Sequence, residues 1–242
     1  MNLILFQPSD LLSETEGNAR VVIKDPRRLA HLRSVHKAQE GQIYRLGEMD
    51  GAIGDGKLLS LTGEQAIFSF EPNALPPTAL NLHIVLALPR PRMLARSLQN
   101  LATLGVKHIS LINTARVEKS YWQSAELEEE KIQAHLELGL EQARDTVLPQ
   151  VELIKRFKPY VEDTLPEILQ HRRGLVADPG GTLPCPRGLP EHTPLVLAIG
   201  PEGGFIDYEV EAFRSIGFES IHLGERILRV ETAVVALISK LY

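Results

Sequence analysis

From Thr78 onward the chain repeats one phrase, a short apolar run followed by an amphipathic stretch and another apolar run. Leu82 to Leu88 is almost continuously apolar, as in a strand buried on both faces of a parallel sheet. Met93, Leu94, Ser97, Leu98, Leu101 and Leu104 follow at helical spacing, Gly105 ends that helix, and His108 to Ile112 resumes a strand. The same reading gives strands at Gly174 to Asp178, Leu195 to Ile199 and Ser220 to Leu223. It gives helices at Glu126 to Ala143, Asp207 to Ile216 and Glu231 to Tyr242. Such alternation predicts an α/β layer architecture over residues 78–242. Asp178 to Pro194 is too rich in proline and glycine for regular structure and reads as a loop, with Cys185 incidental in it.

The first 70 residues read differently. Short runs at Leu3 to Phe6, Arg20 to Lys24, Gln42 to Leu46, Lys57 to Leu61 and Gln65 to Phe70 are punctuated by Asp50-Gly51 and Gly54-Asp55-Gly56. That pattern fits a small β-barrel over residues 1–72, with one helix opening near Pro26. The prolines of EPNALPPT cannot continue a central strand, so the linker is placed there.

With 242 residues, 43% apolar and 24% charged, the chain has room for two unequal domains and is neither collagenous nor disordered. One cysteine excludes an internal disulfide and a Cys-based zinc site, and the eight histidines show no ligand spacing, so no metal is expected. No apolar run reaches the ~18 residues that cross a bilayer. The start, MNLILFQPSD, lacks the basic flank and cleavage site of a signal peptide, so the expectation is a cytoplasmic chain with no membrane partner. A net charge of -5 argues against coating nucleic acid by bulk charge but leaves room for a local basic face. Arg20, Lys24, Arg27, Arg28, Arg33 and Lys37 stand against the single acid Asp25, with His31 and His36 interleaved. They read either as a solvated helix face or as a polyanion-binding one. The glutamate-rich stretch from Glu126 to Glu141 reads as a solubilising surface.

The chemistry concentrates near the end. Leu195 to Ile199 runs directly into Gly200-Pro201-Glu202-Gly203-Gly204, and a helix opens at about Asp207. Ligands of open α/β sheets sit at the carboxyl ends of strands, where glycines let backbone approach them. There is no Gly-Lys-Ser/Thr of a Walker A and no G-x-G-x-x-G, and a tight strand-to-helix turn explains the glycines equally well. Further on, Leu223-Gly224 leads to Ile227-Leu228 bracketed by Arg226 and Arg229, and Glu231-Thr232-Ala233 opens an apolar helix. Taken singly, the arginines could be solvated and Glu231 could answer the helix dipole. Two glycine-bearing loops leaving adjacent strands would project at one edge of the sheet.

GPEGGF followed by LGERILRVETA resembles the paired signature of the RsmE-type 16S rRNA uridine-N3 methyltransferases, a branch of the SPOUT superfamily. The resemblance covers the whole chain in organisation and is strongest from Leu195 onward. It implies a PUA-like RNA-binding β-barrel over 1–72 and a trefoil-knotted SPOUT methyltransferase domain over 78–242. It also implies a bent S-adenosylmethionine in the knot loops and a homodimer with its active site near the subunit interface. Carried over residue by residue, Leu197, Ile199 and Gly200 end the strand beneath the cofactor, and Pro201, Glu202, Gly203 and Gly204 continue one wall. Leu223, Gly224, Arg226, Ile227 and Leu228 form the opposing loop, whose apolar members suit adenine and equally suit plain core.

The implied reaction methylates N3 of a uridine in 16S rRNA of the small ribosomal subunit. It needs a base, Glu202 or Glu231, and a cation facing the uracil anion, Arg229 first and Arg226 next. Arg20, Lys24, Arg27, Arg28, Arg33 and Lys37 would meet RNA phosphates. Members of the family usually carry Lys and Glu where this chain has Asn100 and Thr103. An arginine expected near Asp145 is displaced or lost, and Arg33-Ser34-Val35-His36-Lys37 stands for the usual R-V-L-R. These departures leave two alternatives open, a paralogue acting on another RNA position and a non-catalytic RNA-binding ribosome assembly factor.

Overall fold

The structure, a computed structural model, describes residues 2–15 and 18–242. It divides into two compact units, Met1–Thr78 with Glu137–Leu148, and Ala79–Leu136 with Pro149–Tyr242. The return of residues 137–148 to the first unit departs from the contiguous division expected at 72–78, and no local pattern in the sequence signals it.

The first unit holds β1 (Ile4–Phe6), β2 (Leu11–Thr15), β3 (Asn18–Ile23), α1 (Pro26–Ser34), β4 (Ile43–Glu48), β5 (Ile53–Leu61) and β6 (Ala66–Ala74). They form one sheet in the order β1-β4-β5-β6-β3-β2, antiparallel except for the β1–β4 pair. Helix α1 begins where Pro26 predicts, with the Asp25 carboxylate accepting Arg28 N–H at 2.7 Å. Leu29 and Leu32 of α1 share one core with Ile4 and Phe6 of β1 and with Val21 and Ile23 of β3. Strands far apart in the sheet order thus meet around a common interior, so the sheet curls. Strand β6 runs four residues into the expected linker. There it pairs with β5 alone (Gly54 opposite Pro72), the kind of edge position at which proline is tolerated.

The second unit holds β7 (Leu82–Ala87), α2 (Pro91–Thr103), β8 (His108–Ile112), the start of α3 (Glu129–Ala143), β9 (Gln150–Ile154) and α4 (Phe157–Pro159). A π-helical turn at Tyr160–Thr164 leads into α5 (Leu165–Leu169), β10 (Arg173–Ala177) and β11 (Leu183–Pro184). The chain ends with β12 (Leu195–Ile199), α6 (Asp207–Ser215), β13 (Phe218–His222) and α7 (Val230–Leu241). The sheet is parallel, in the order β11-β13-β10-β12-β7-β8-β9. Every residue of β12 is buried, as its apolar run requires, and α7 closes on it with Val234, Leu237, Ile238 and Leu241.

Three readings need correction. Helix α3 starts at Glu129 rather than Glu126, because a 3-10 turn at Ala125–Leu127 precedes it. The proline-rich stretch is not wholly irregular: Leu183 pairs with Ile221, Cys185 N–H donates to His222 O at 2.9 Å, and burial pushes the Cys185 thiol up. Finally, β12 and β13 are not neighbours. Strand β10 lies between them and brings a third loop to the same edge.

Candidate functional site

The carboxyl ends of β10, β12 and β13 open into one cleft with α7 as its floor. Its walls are Ala177–Pro179 after β10, Ile199–Glu202 and Gly204 after β12, and Ile221–Gly224 with Arg226–Leu228 after β13. Val230, Ala233 and Leu237 of α7 complete it.

The loop after β12 bends sharply. Gly204 N–H donates to Pro201 O at 2.8 Å and Gly204 sits at φ +72°, a left-handed angle that side chains rarely adopt. A Cβ on Gly200 would stand 3.0 Å from Phe205 N and 3.2 Å from the Gly204 carbonyl carbon, so backbone alone fits there. Glu202 reaches back to the start of α2, where its Oε1 accepts Arg90 N–H at 3.0 Å and lies 4.0 Å from Arg90 Nε. The loop after β13 turns at Gly224, whose N–H donates to His222 Nδ1 at 3.1 Å. It leaves Ile227 79% exposed at the cleft mouth. A large apolar side chain held against a cleft and open to water marks a surface suited to an apolar ligand face.

Of the residues the sequence singles out, Ile199, Gly200, Pro201, Glu202, Gly204, Leu223, Gly224, Arg226, Ile227 and Leu228 line this cleft. Leu197 does not. It is fully buried in the middle of β12, where neighbouring strands cover it. Gly203 faces outward onto Arg116, whose Cδ would lie 3.0 Å from an added Cβ. Arg229 and Glu231 also stand outside the lining: Arg229 is the exposed N-cap of α7 and Glu231 lies in its first turn. Neither Arg226, Arg229 nor Glu231 makes a side-chain hydrogen bond or ion pair among the described residues.

The residue that sequence reasoning missed is Asp178. Its N–H donates to Ile221 O at 2.9 Å, and its Oδ1 accepts Gly180 N–H at 3.0 Å. Its Oδ2 lies 3.4 Å from Ser220 Oγ. These bonds hold the carboxylate between the two glycine loops. The signal was present, since Ala177-Asp178-Pro179-Gly180-Gly181 repeats the grammar of an apolar strand running into glycines.

In the first unit the basic stretch is partly spent internally. Arg20, Lys24, Arg33 and Lys37 are exposed. Arg33 donates to Gly63 O, and Arg27 holds both oxygens of Glu141 at 2.7 and 2.8 Å. Arg28 is buried, with Nε on Glu141 and Nη2 on Glu137, so it is not available to a phosphate. The same pairs correct the reading of Glu137 and Glu141 as solubilising. Asn100 and Thr103 lie on α2 outside the cleft lining, Thr103 Oγ1 donating to Gln99 O at 2.8 Å, and Asp145 is buried in the first unit.

Among the described residues no three His, Cys, Asp or Glu side chains gather as metal ligands, and no helix is long and apolar enough to cross a membrane.

Residues 76–242 match the family model described as RNA methyltransferase domain. A ribosomal RNA small subunit methyltransferase E from Treponema pallidum is 29% identical over 98% of this chain and 88% of its own. A protein of the same name from Synechocystis is 29% identical over 80% of this chain and 60% of its own. The crystal structure of a ribosomal RNA small subunit methyltransferase E from Neisseria gonorrhoeae, bound to S-adenosyl methionine, superposes with a TM-score of 0.76 at 19% identity. It covers 98% of this chain and 95% of that one, and at this identity the likeness speaks to fold. With the family match across 76–242 and relatives along its whole length, the chain belongs to the RNA methyltransferase domain family, in its RsmE branch.

Proposed function

We propose that this chain is a cytoplasmic S-adenosylmethionine-dependent methyltransferase acting on N3 of a uridine in 16S rRNA of the small ribosomal subunit. One observation carries the reading: the two signature loops, 200–204 and 223–228, are opposite walls of a single cleft. In this reading the first unit is a PUA-like RNA-binding barrel, supported by its curled sheet and by exposed Arg20, Lys24 and Lys37. The second is a trefoil-knotted SPOUT domain, supported by the insertion of β10 between β12 and β13. Exposed Ile227 and Val235 support a homodimer that covers them.

The residues present fit an adenosyl group. Leu223, Ile227 and Leu228 with Val230, Ala233 and Leu237 offer an apolar slot for a flat ring, and those backbone groups along 200–204 that are not already bonded within the protein supply donors and acceptors. Asp178 keeps acceptor capacity for ribose hydroxyls. When bound, S-adenosylmethionine supplies an electrophilic methyl group on a sulfonium.

The chain's own residues then have to ready the uracil. N3 carries a proton at neutral pH, and its loss leaves an anion delocalised onto two carbonyl oxygens. Glu202 suits the base: Arg90 N–H pins Oε1, while Oε2 has no partner among the described residues and can take the proton. Arg226, which lines the cleft without a partner, can face the resulting charge. The departures at Asn100 and Thr103 lie outside the cleft lining and lend no support to a non-catalytic reading.

Calorimetry with S-adenosylmethionine tests the cleft. Mass mapping of rRNA nucleosides from a deletion strain against its parent tests the base, the expected result being loss of one N3-methyluridine from 16S rRNA. No heat of binding, or an unchanged nucleoside map, would refute the proposal.

A further inference from the structure

The segment after β8 grips the glycine loop from outside the cleft. Ala115 N–H donates to Glu209 Oε1 at 2.7 Å, and the other oxygen of that buried carboxylate accepts Ile206 N–H at 3.0 Å. One residue on, Arg116 Nη1 donates to Gly203 O and lies 3.5 Å from Phe205 O. The guanidinium has no other side-chain partner among the described residues. Gly200, Pro201, Glu202 and Gly204 face the cleft while Gly203 turns its α-carbon to the Arg116 stem, so the loop has a ligand side and an arginine side.

We infer that Arg116 is a positioning residue: by holding the carbonyls of Gly203 and Phe205 it keeps the glycine loop in the shape of a cofactor wall, without itself touching cofactor or RNA. This rests on the reading of the cleft as an S-adenosylmethionine site. A loop with three glycines in five residues has many conformations open to it, and each one not suited to the ligand lowers its affinity. A charged donor on two loop carbonyls is stronger than the water it replaces and removes part of that freedom before the ligand arrives. Gly203 belongs to the same device. Its φ is not left-handed, and the three atoms nearest an added Cβ all belong to Arg116, with Cδ, Cβ and Cγ at 3.0, 3.5 and 3.8 Å. The glycine is therefore required by the arginine stem lying across it, not by the ligand.

That assignment predicts a coupling. Arg116 is exposed, so Arg116→Ala should fold with an unchanged melting temperature. It should bind S-adenosylmethionine about 10-fold more weakly, the scale of a lost hydrogen bond to a charged group. KM for the cofactor should rise with kcat at saturation little changed, and Arg116→Lys should restore part of the affinity. Gly203→Ala alone should also weaken binding, because it displaces the stem. Added to Arg116→Ala it should cost little more, since the tight contact at Cδ is then gone and Cβ at 3.5 Å is ordinary packing distance. Amide hydrogen exchange in the ligand-free protein supplies the readout independent of the cofactor: exchange across 202–206 should quicken in Arg116→Ala and stay slow across α6. Additive losses in the double variant, or wild-type affinity and exchange in Arg116→Ala, would overturn the assignment. If the wild-type chain binds no S-adenosylmethionine, the reading of the cleft fails instead, and the exchange rates alone decide whether Arg116 holds the loop.

Discussion

Arg28 Nε lies 2.8 Å from Glu141 Oε1, with side chains only 9% and 3% exposed, and Arg28 Nη2 meets Glu137 Oε2 at 2.7 Å. Arg27 takes both oxygens of the same Glu141 from the other side. The pairing joins α1 to the end of α3 within the first unit, to which residues 137–148 are also tied by Asp50 N–H on Thr146 O and by Thr146 Oγ1 on Gly51 O. Desolvating these charges is costly, and only their mutual contact makes the burial tolerable. Arg28 is thus a structural cation, unlike the exposed Lys24 and Lys37.

Arg28→Met should therefore destabilise the first unit by about 3 kcal/mol, because it removes a cation from the buried Glu141 and the part-buried Glu137. Lys24→Ala and Lys37→Ala should leave the urea midpoint in place. RNA binding should divide the same residues the opposite way. Each lysine variant should lower the salt slope by about 1 while folded Arg28→Met leaves it unchanged. A reduced slope in Arg28→Met would return that residue to the RNA-facing set.

The contrast shows where sequence reasoning reaches and where it stops. Strands such as Leu195–Ile199 and His108–Ile112 were legible because a run buried on both faces needs only local apolar residues. The two signature loops were legible because glycine is required by local backbone geometry, as at Gly204. Arg28 with Glu141 was not, since the partners lie 113 positions apart and local charge counting sees each as surface. Asp178 escaped because strand order decides which loops share an edge, and the placement of β10 between β12 and β13 has no periodic signature.

Histidine chemistry in the second unit gives a pH prediction. His83 Nε2 lies 2.9 Å from Ser110 Oγ, and burial, with help from His108 and Arg172, lowers its pKa from 6.5 to about 4. The folded chain thus keeps His83 neutral through a window in which an unfolded chain protonates it. The unfolded state binds more protons there, so stability falls as pH drops from about 6.5 toward 4. The full shift corresponds to roughly 3 kcal/mol. Urea unfolding at pH 7 and pH 4.5 should show a smaller loss in His83→Gln than in the wild type; equal losses would remove His83 as a source of acid sensitivity.

Asp178 offers a test of the missed loop. On the proposed reading its carboxylate receives ribose hydroxyls, so Asp178→Ala should weaken S-adenosylmethionine binding by about 10-fold, the scale of a hydrogen bond to a charged group. Turnover at saturating cofactor should survive. Adenine alone, which carries no ribose, should bind both forms equally in a competition assay. A matching loss for adenine would mean that the substitution had disturbed the loop rather than a ribose contact.

The two arginines of the second signature loop separate a charge that serves the reaction from one that serves docking. Arg226 lines the cleft and Arg229 stands outside it as the exposed N-cap of α7. If the Arg226 guanidinium faces charge developing on the uracil carbonyls, Arg226→Lys should lower kcat by about 10²- to 10³-fold at saturating RNA and cofactor, as one lost oxyanion donor does. Lysine keeps the charge but not the planar pair of donors, so the deficit should persist although RNA affinity does not change. Arg229→Lys should behave in the opposite sense, with kcat near normal, because a phosphate accepts either cation. Arg229→Ala should then weaken RNA binding and lower the salt slope by about 1. A large kcat loss in Arg229→Lys with normal turnover in Arg226→Lys would exchange the two roles. It would require the helix α7 N-terminus to move toward the cleft when RNA is bound.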